Sequence, residues 1–183
     1  MKFCNHCGAP LERRVPEGDN RERFVCTACR AVHYLNPRLV VGTLVEIDNR
    51  VLLCRRAIEP RCGYWTLPAG FLEHGESASA GAARETLEEA CAHVDVGDPF
   101  VLVSAPFIDQ VHLIFRACLA KPGFAAGQET SAVGLFAEDE IPWDELAFRS
   151  IRLALEHYFR DRRAGRFAIH EEVLERPVQP IVK

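Results

Sequence analysis

Four cysteines stand in two identical spacings, Cys4-Asn5-His6-Cys7 and Cys26-Thr27-Ala28-Cys29, with 18 residues between the pairs. Each knuckle offers two thiolates, and two knuckles close a tetrahedron around one zinc ion. The stretch between them, residues 12–23 (ERRVPEGDNRER), carries Pro16, Gly18 and Asn20 and almost nothing apolar, so it cannot build a core of its own. A segment like this needs a metal to fold around. The spacing therefore predicts a zinc ribbon over residues 1–36, with Cys4, Cys7, Cys26 and Cys29 as zinc ligands. Four thiolates leave no open position for water, which makes the ion structural rather than catalytic. His6 and His33 are read as neighbours of the ligands, and a redox role for the pairs is the weaker rival.

The other four of the eight cysteines, Cys54, Cys62, Cys91 and Cys118, scatter among apolar neighbours and are read as small core residues. Eight cysteines so distributed do not make a disulfide scaffold, and Met1-Lys2-Phe3 runs straight into Cys4 with no signal peptide, so a reducing, cytoplasmic setting is expected. With 48% hydrophobic and 26% charged residues the chain is globular, and no apolar run approaches the ~18 residues of a membrane span. The net charge of −4 gives no bulk basic field, and Arg13, Arg14, Arg21 and Arg23 are offset by Glu12, Glu17, Asp19 and Glu22. Nucleic acid and membrane are not expected as partners.

From residue 37 to the end the pattern becomes that of a second domain, 37–183. Two β-rich runs, 39–47 and 50–56, flank Asp48-Asn49 and read as a hairpin. Strands are expected near 100–103, 111–119 and 133–137, and residues 120–131 as a loop. Residues 77–90 read as a helix whose apolar stripe is Ala80, Ala83, Leu87 and Ala90. A second helix is expected with Ser150 as N-cap, the stripe Ile151, Ala154, Leu155, Tyr158 and Phe159, and an end at Gly165. Helices separated by strands argue for an α/β fold with a mixed sheet flanked by helices.

On the first helix Glu85, Glu88 and Glu89 project together, opposite the alanine stripe. Arg84 pairs with Glu88 at i,i+4, but Glu85 and Glu89 are a like-charge pair costing roughly a few tenths of a kcal/mol. A divalent cation turns that cost into a gain, and an all-oxygen set selects a hard ion such as Mg²⁺ or Mn²⁺.

The stretch Gly70-x5-Glu76-x7-Arg84-Glu85-Thr86-x-Glu88-Glu89 resembles the Nudix box, the signature of the Nudix hydrolases. It departs at Thr86 and Ala92, where the pattern has bulky aliphatics, and at Cys91, where it has Gly. If residue 91 must be left-handed, Cys costs roughly 1–2 kcal/mol more than Gly there. The ribbon, His33-Tyr34-Leu35-Asn36-Pro37, Tyr64-Trp65-Thr66-Leu67-Pro68-Ala69-Gly70 and Ile141-Pro142 extend the likeness over most of the chain. The chain is similar to the ribbon-bearing subgroup that includes the plant chloroplast FAD pyrophosphatases.

The resemblance implies an α/β/α sandwich and a pyrophosphatase of a nucleoside diphosphate linked to another moiety, FAD or ADP-ribose first, releasing AMP. It implies Mg²⁺ or Mn²⁺ on Glu85, Glu88, Glu89 and a carbonyl of Ala69 or Gly70, with Glu76 and Arg84 orienting the set. The general base is either a glutamate of the box or one on a later loop, where Glu129, flanked by Gly127, is the candidate and Glu138 and Glu140 are alternatives. Tyr64, Trp65 and Phe107 are aromatics available for stacking. NADH pyrophosphatases carry a Ser-Gln-Pro-Trp-Pro-Phe-Pro type stretch where this chain has Ser104-Ala105-Pro106-Phe107-Ile108-Asp109-Gln110, which weighs against NADH. A homodimer is expected, with the ribbon in a structural or dimer-forming role. The alternatives are a dinucleotide sensor without turnover, an NADH pyrophosphatase, and decapping of nucleotide-capped RNA.

Overall fold

The computed structural model describes residues 1–176 and divides the chain into two compact units, Met1–Asn36 and Pro37–Lys183. The first is a three-stranded antiparallel sheet of β1 (Leu11–Arg14), β2 (Arg23–Cys26) and β3 (Val32–His33), in that order. Leu11 lies opposite Cys26 and Phe24 opposite His33, so β2 carries a cysteine into the centre of the unit. Its buried side chains are Cys4, Val25, Cys26 and His33. One valine is no hydrophobic core.

The second unit has a mixed sheet built from β4 (Arg38–Ile47), β5 (Arg50–Arg56), β6 (Trp65–Thr66), β7 (Ala69–Phe71), β8 (Val94–Ala105), β9 (Gln110–Leu119), β10 (Thr130–Phe136) and β11 (His170–Val173). The spatial order is β10-β5-β4-β9-β8-β11, with β6 added to β5 and β7 to β4. The pairs β4/β9 and β8/β11 are parallel and the rest antiparallel. The expected hairpin is β4–β5, and Asp48 (φ 47) and Asn49 (φ 66) supply the two left-handed residues that its tight turn requires.

Two helices, α1 (Ala78–Ala90) and α2 (Arg149–Ala164), cover opposite faces of this sheet. Alternation along the strands sorts the core: Leu44, Val51 and Leu53 pack with Ile151, Leu155, Tyr158 and Phe159 of α2, whereas Val41, Val45, Leu52 and Cys54 pack on the side of Ala82 and Ala90. This is the α/β/α sandwich.

Several expectations are corrected. The buried face of α1 is Gly81, Ala82, Thr86, Glu89 and Ala90, not the Ala80–Ala83–Leu87 stripe, and Leu87 is 42% exposed. The register is set by a buried pair of hydroxyls, Thr86 Oγ1 at 2.6 Å from Thr43 Oγ1 of β4, with Thr86 also donating to the Ala82 carbonyl. That pair accounts for a polar residue where an aliphatic was expected. The N-cap of α2 is Phe148 rather than Ser150, which lies inside the first turn and is buried. Of the four remaining cysteines only Cys54 is buried; Cys62, Cys91 and Cys118 are exposed. No helix among the described residues is long and apolar enough to cross a membrane.

Candidate functional site

In the ribbon, Cys4 Sγ lies 3.7 Å from Cys29 Sγ and Cys7 Sγ lies 3.4 Å from Cys26 Sγ. All four ligand atoms fall within 4.8 Å of one another. A tetrahedron with Zn–S of about 2.3 Å has edges near 3.8 Å, so the spacing suits zinc. Both knuckles turn alike: Gly8 N–H donates to the Cys4 carbonyl and Arg30 N–H to the Cys26 carbonyl, and both donors, Gly8 (φ 74) and Arg30 (φ 60), are left-handed. His33 stays outside the set, its Nε2 at 3.3 Å from Cys4 Sγ.

The second cluster begins at the N-terminal end of α1. Ser77 Oγ accepts the Ala80 N–H and starts the helix, which then lays Glu89, Glu85 and Arg84 along β7, at Ala69, Gly70 and Phe71 in turn. Arg84 is the hub. Its Nε and Nη2 grip both oxygens of Glu76, Nη1 donates to Glu85 (2.8 Å) and Glu88 (3.0 Å), and Nη2 also reaches the Phe71 carbonyl. The guanidinium holds the Glu76 carboxyl below the usual carboxylate range.

Glu89 is only 8% exposed and accepts one hydrogen bond, from the Ala69 N–H at 3.0 Å. Burial pushes its carboxyl up to about 7, while that N–H pulls the other way and the charges of Glu85 and Glu129 add to the rise. Glu85 is raised for the same first reason, burial, with Glu88 and Glu129 contributing. The floor of this cluster is backbone. A Cβ on Gly70 would fall 2.3 Å from the Glu85 carboxyl, so only glycine lets that carboxylate lie on the strand.

Glu129 reaches the cluster because its loop docks on the end of α1. Ala125 N–H donates to the Ala90 carbonyl and Gly127 N–H to the Glu89 carbonyl, and a Cβ on Gly127 would lie 1.8 Å from the Glu88 carbonyl oxygen. Glu138 instead pairs with Arg163, and Glu140 caps its own turn through the Ala137 N–H. The fold thus brings Glu76, Arg84, Glu85, Glu88, Glu89 and Glu129 together with the backbone of Ala69 and Gly70. Among the described residues the four cysteines are the one group of three or more that gathers ligand atoms within 4.8 Å; of the glutamates, Glu85 and Glu88 are bridged by Arg84 Nη1 and Glu89 is held by the Ala69 N–H. Several like charges, one of them buried, around a glycine floor are a donor set that suits a hard divalent cation. Of the expected aromatics, Trp65 packs edge-on against Phe136 and Phe107 packs on the α2-side core.

The family model described as the NUDIX domain matches residues 36–157. The chain belongs to the Nudix family. A second model, of the Nudix N-terminal zinc ribbon, matches residues 2–35. The crystal structure of a NUDIX hydrolase from Nitrosomonas europaea is 46% identical, with a TM-score of 0.92 over 96% of this chain and 100% of that one. The chain is similar to the NAD-capped RNA hydrolase NudC of Stutzerimonas stutzeri, 35% identical over 122 residues, 63% of this chain and 40% of that protein. It is also similar to the ADP-ribose pyrophosphatase of Methanocaldococcus jannaschii, 29% identical over 119 residues, 63% of this chain and 69% of that protein. The match spans well under two thirds of the NudC relative. Nudix enzymes use a divalent metal, and the four-cysteine ribbon suits zinc.

Proposed function

We propose that residues 37–183 form a pyrophosphatase that hydrolyses the diphosphate of FAD or ADP-ribose, releasing AMP and the phosphorylated remainder, while residues 1–36 hold a structural Zn²⁺. The observation that carries the reading is the meeting of Glu129 with Glu85, Glu88 and Glu89 beside the Gly70 floor, with the Glu89 carboxyl pushed up to about 7 by burial. Mg²⁺ or Mn²⁺ bound there would neutralise phosphate charge and lower the pKa of the attacking water.

Glu85, Glu88, Glu89 and the Ala69 or Gly70 carbonyl are the groups that would hold it. Arg84, clamped by both oxygens of Glu76, fixes the directions of Glu85 and Glu88, a supporting role whose loss commonly costs about 10–100-fold. Glu129 accepts a proton from water as its oxygen attacks phosphorus, and the P–O bond to the bridging oxygen breaks. Glu76, the other carboxylate from outside α1, is taken up by Arg84, which leaves Glu129 as the loop carboxylate available to act as base.

ADP-ribose is supported by the archaeal relative's name, and FAD by the subgroup resemblance. The second reading is an NADH pyrophosphatase, favoured by the similarity, 31% identity over 144 residues, to the mitochondrial NAD(P)H pyrophosphatase NUDT13 of Mus musculus. Homodimer assembly through the ribbon is supported by Phe3, Val15, Tyr34 and Leu35, which that unit leaves exposed, and light scattering tests it. A four-thiolate zinc ribbon, which needs its cysteines reduced, supports a cytoplasmic setting.

The test is turnover with Mg²⁺ on FAD, ADP-ribose, NADH and a nucleoside triphosphate, separating AMP from its co-product. AMP from FAD or ADP-ribose is the expected result. NADH as the preferred substrate moves the assignment to the second reading, and no hydrolysis of any of them moves it to a sensor.

A further inference from the structure

Beside the carboxylate cluster the last residues of β5 and the turn that leads to β6, taken together as the β5–β6 connection, carry three arginines, Arg55, Arg56 and Arg61, in a chain whose net charge is −4. None has a carboxylate partner among the described residues. The connection is tied to itself: Arg56 N–H donates to the Tyr64 carbonyl (2.9 Å), Gly63 N–H to the Arg56 carbonyl (2.8 Å) and Tyr64 N–H to the Arg61 carbonyl (3.2 Å). Two guanidinium groups brace it further, Arg55 Nε on the Gly63 carbonyl and Arg56 Nε on the Pro60 carbonyl, each at 2.8 Å. Bracing through Nε fixes the plane of each guanidinium and leaves the terminal nitrogens for an anion, the geometry in which arginine grips phosphate by two bonds.

The connection is also joined to the catalytic loop, since Ala57 N–H donates to the Glu129 carbonyl at 2.8 Å. Tyr64, with the Arg61 guanidinium 5.3 Å from its ring centroid, lines an open groove of about 380 Å³ together with Arg55, Cys62, Gly63 and Glu145. A half-buried aromatic beside a guanidinium is a platform on which a planar base stacks, and Glu145 is an acceptor for an exocyclic amine at the base's edge.

We infer that this connection is the adenylate subsite: Arg56 holds the phosphate next to the bond that breaks, and Tyr64 with Arg61 stacks the adenine, whose amine faces Glu145. The inference rests on the pyrophosphatase reading for its substrate, and it goes further by placing recognition in the AMP half, which FAD, ADP-ribose and NADH share. The remaining half is then read elsewhere.

The test is binding of AMP and of FMN to the full chain with Mg²⁺ by equilibrium dialysis, in wild type, Arg56→Ala, Arg61→Gln, Tyr64→Phe and Tyr64→Leu, each checked for near-ultraviolet circular dichroism. Tyr64→Leu and Arg56→Ala should weaken AMP by about tenfold or more, Tyr64→Phe by about twofold or less, and FMN should change little in any variant. Arg61→Gln, at an exposed side chain, should weaken AMP measurably even if Arg56→Ala fails to fold. AMP affinity unchanged in Tyr64→Leu and Arg61→Gln, loss confined to FMN, or no binding of AMP to wild type would each overturn the subsite. A chain that binds AMP through Tyr64 yet hydrolyses no dinucleotide keeps the subsite and loses the pyrophosphatase reading; turnover indifferent to Tyr64 does the reverse.

Discussion

In the ribbon four sulfur atoms come within 4.8 Å of one another around almost no apolar core, whereas on α1 three glutamates stand in a well-packed domain, two of them bridged by Arg84 and the third held by the Ala69 N–H. The ribbon's donors converge because two short knuckles and three strands leave them nowhere else to point. The glutamates are kept close but uncollapsed, and one of them is buried where its charge is unwelcome. The difference separates a metal that makes a fold from a metal that a fold is ready to receive.

The largest effect should follow from emptying the ribbon. Structural zinc contributes apparent binding energies of about 10–16 kcal/mol that are also folding energy. Removing the ion, or replacing Cys26 by Ser, should abolish amide-exchange protection across residues 1–36 while the transition of the sheet unit persists. Protection that survives in protein shown by metal analysis to be zinc-free would break the comparison on its ribbon side.

The opposite is expected of Glu88→Gln. The Glu88 side chain is 58% exposed, so the melting temperature should move little. Turnover should fall by roughly a hundredfold to ten-thousandfold, a loss of about 3–5 kcal/mol in transition-state stabilisation. Full activity in both Glu88→Gln and Glu89→Gln would sink the metal assignment.

Glu89 sharpens the contrast through pH. Below its ordinary value of 4.5 the carboxyl is protonated in folded and unfolded chains alike. As the pH rises, the unfolded carboxyl ionises first and the folded one only near 7, so without added divalent metal the sheet unit should lose stability across that window. The ceiling is roughly 3 kcal/mol. Glu89→Gln keeps an acceptor for the Ala69 N–H and should flatten the slope, making the metal-free variant the more stable at pH 8. Urea unfolding at pH 5 and pH 8 measures it, and equal slopes in variant and wild type would show that Glu89 ionises freely in the fold.

What could be read from the sequence follows the same division. The cysteine spacing and the hairpin are local, since Asp48-Asn49 between β-branched runs specifies its turn without help from the rest of the chain. The glutamates and Arg84 were legible through helical spacing. The buried face of α1 was not, because Thr86 faces inward on account of Thr43, 43 positions away, and no periodicity rule favours a hydroxyl over Leu87. The short strands β6, β7 and β11 and the start of β8 are likewise made by their partners. Gly127 hinted at Glu129, but its reason, the Glu88 carbonyl against it, is tertiary. The arginines of the β5–β6 connection were lost in an arginine-rich composition whose only lysines are Lys2, Lys121 and Lys183.

The smallest effect concerns a need that both units share. Each knuckle of the ribbon ends on a left-handed residue, filled by Gly8 in one and Arg30 in the other, and α1 ends on Cys91 at φ 47 and ψ 27. A side chain in that region costs roughly 1–2 kcal/mol, partly offset because glycine also loosens the unfolded chain. Cys91→Gly should therefore stabilise the sheet unit by about 1 kcal/mol in urea unfolding, with turnover unchanged because the Cys91 side chain is exposed beyond the end of α1. In the ribbon the same relief is coupled to metal, so Arg30→Gly should appear as zinc held roughly fivefold more tightly rather than as a higher melting temperature of the sheet unit. If Arg30→Gly raised that temperature and left zinc affinity alone, the two units would not be energetically separate, and the contrast between a metal that makes a fold and one that a fold receives would have to be given up.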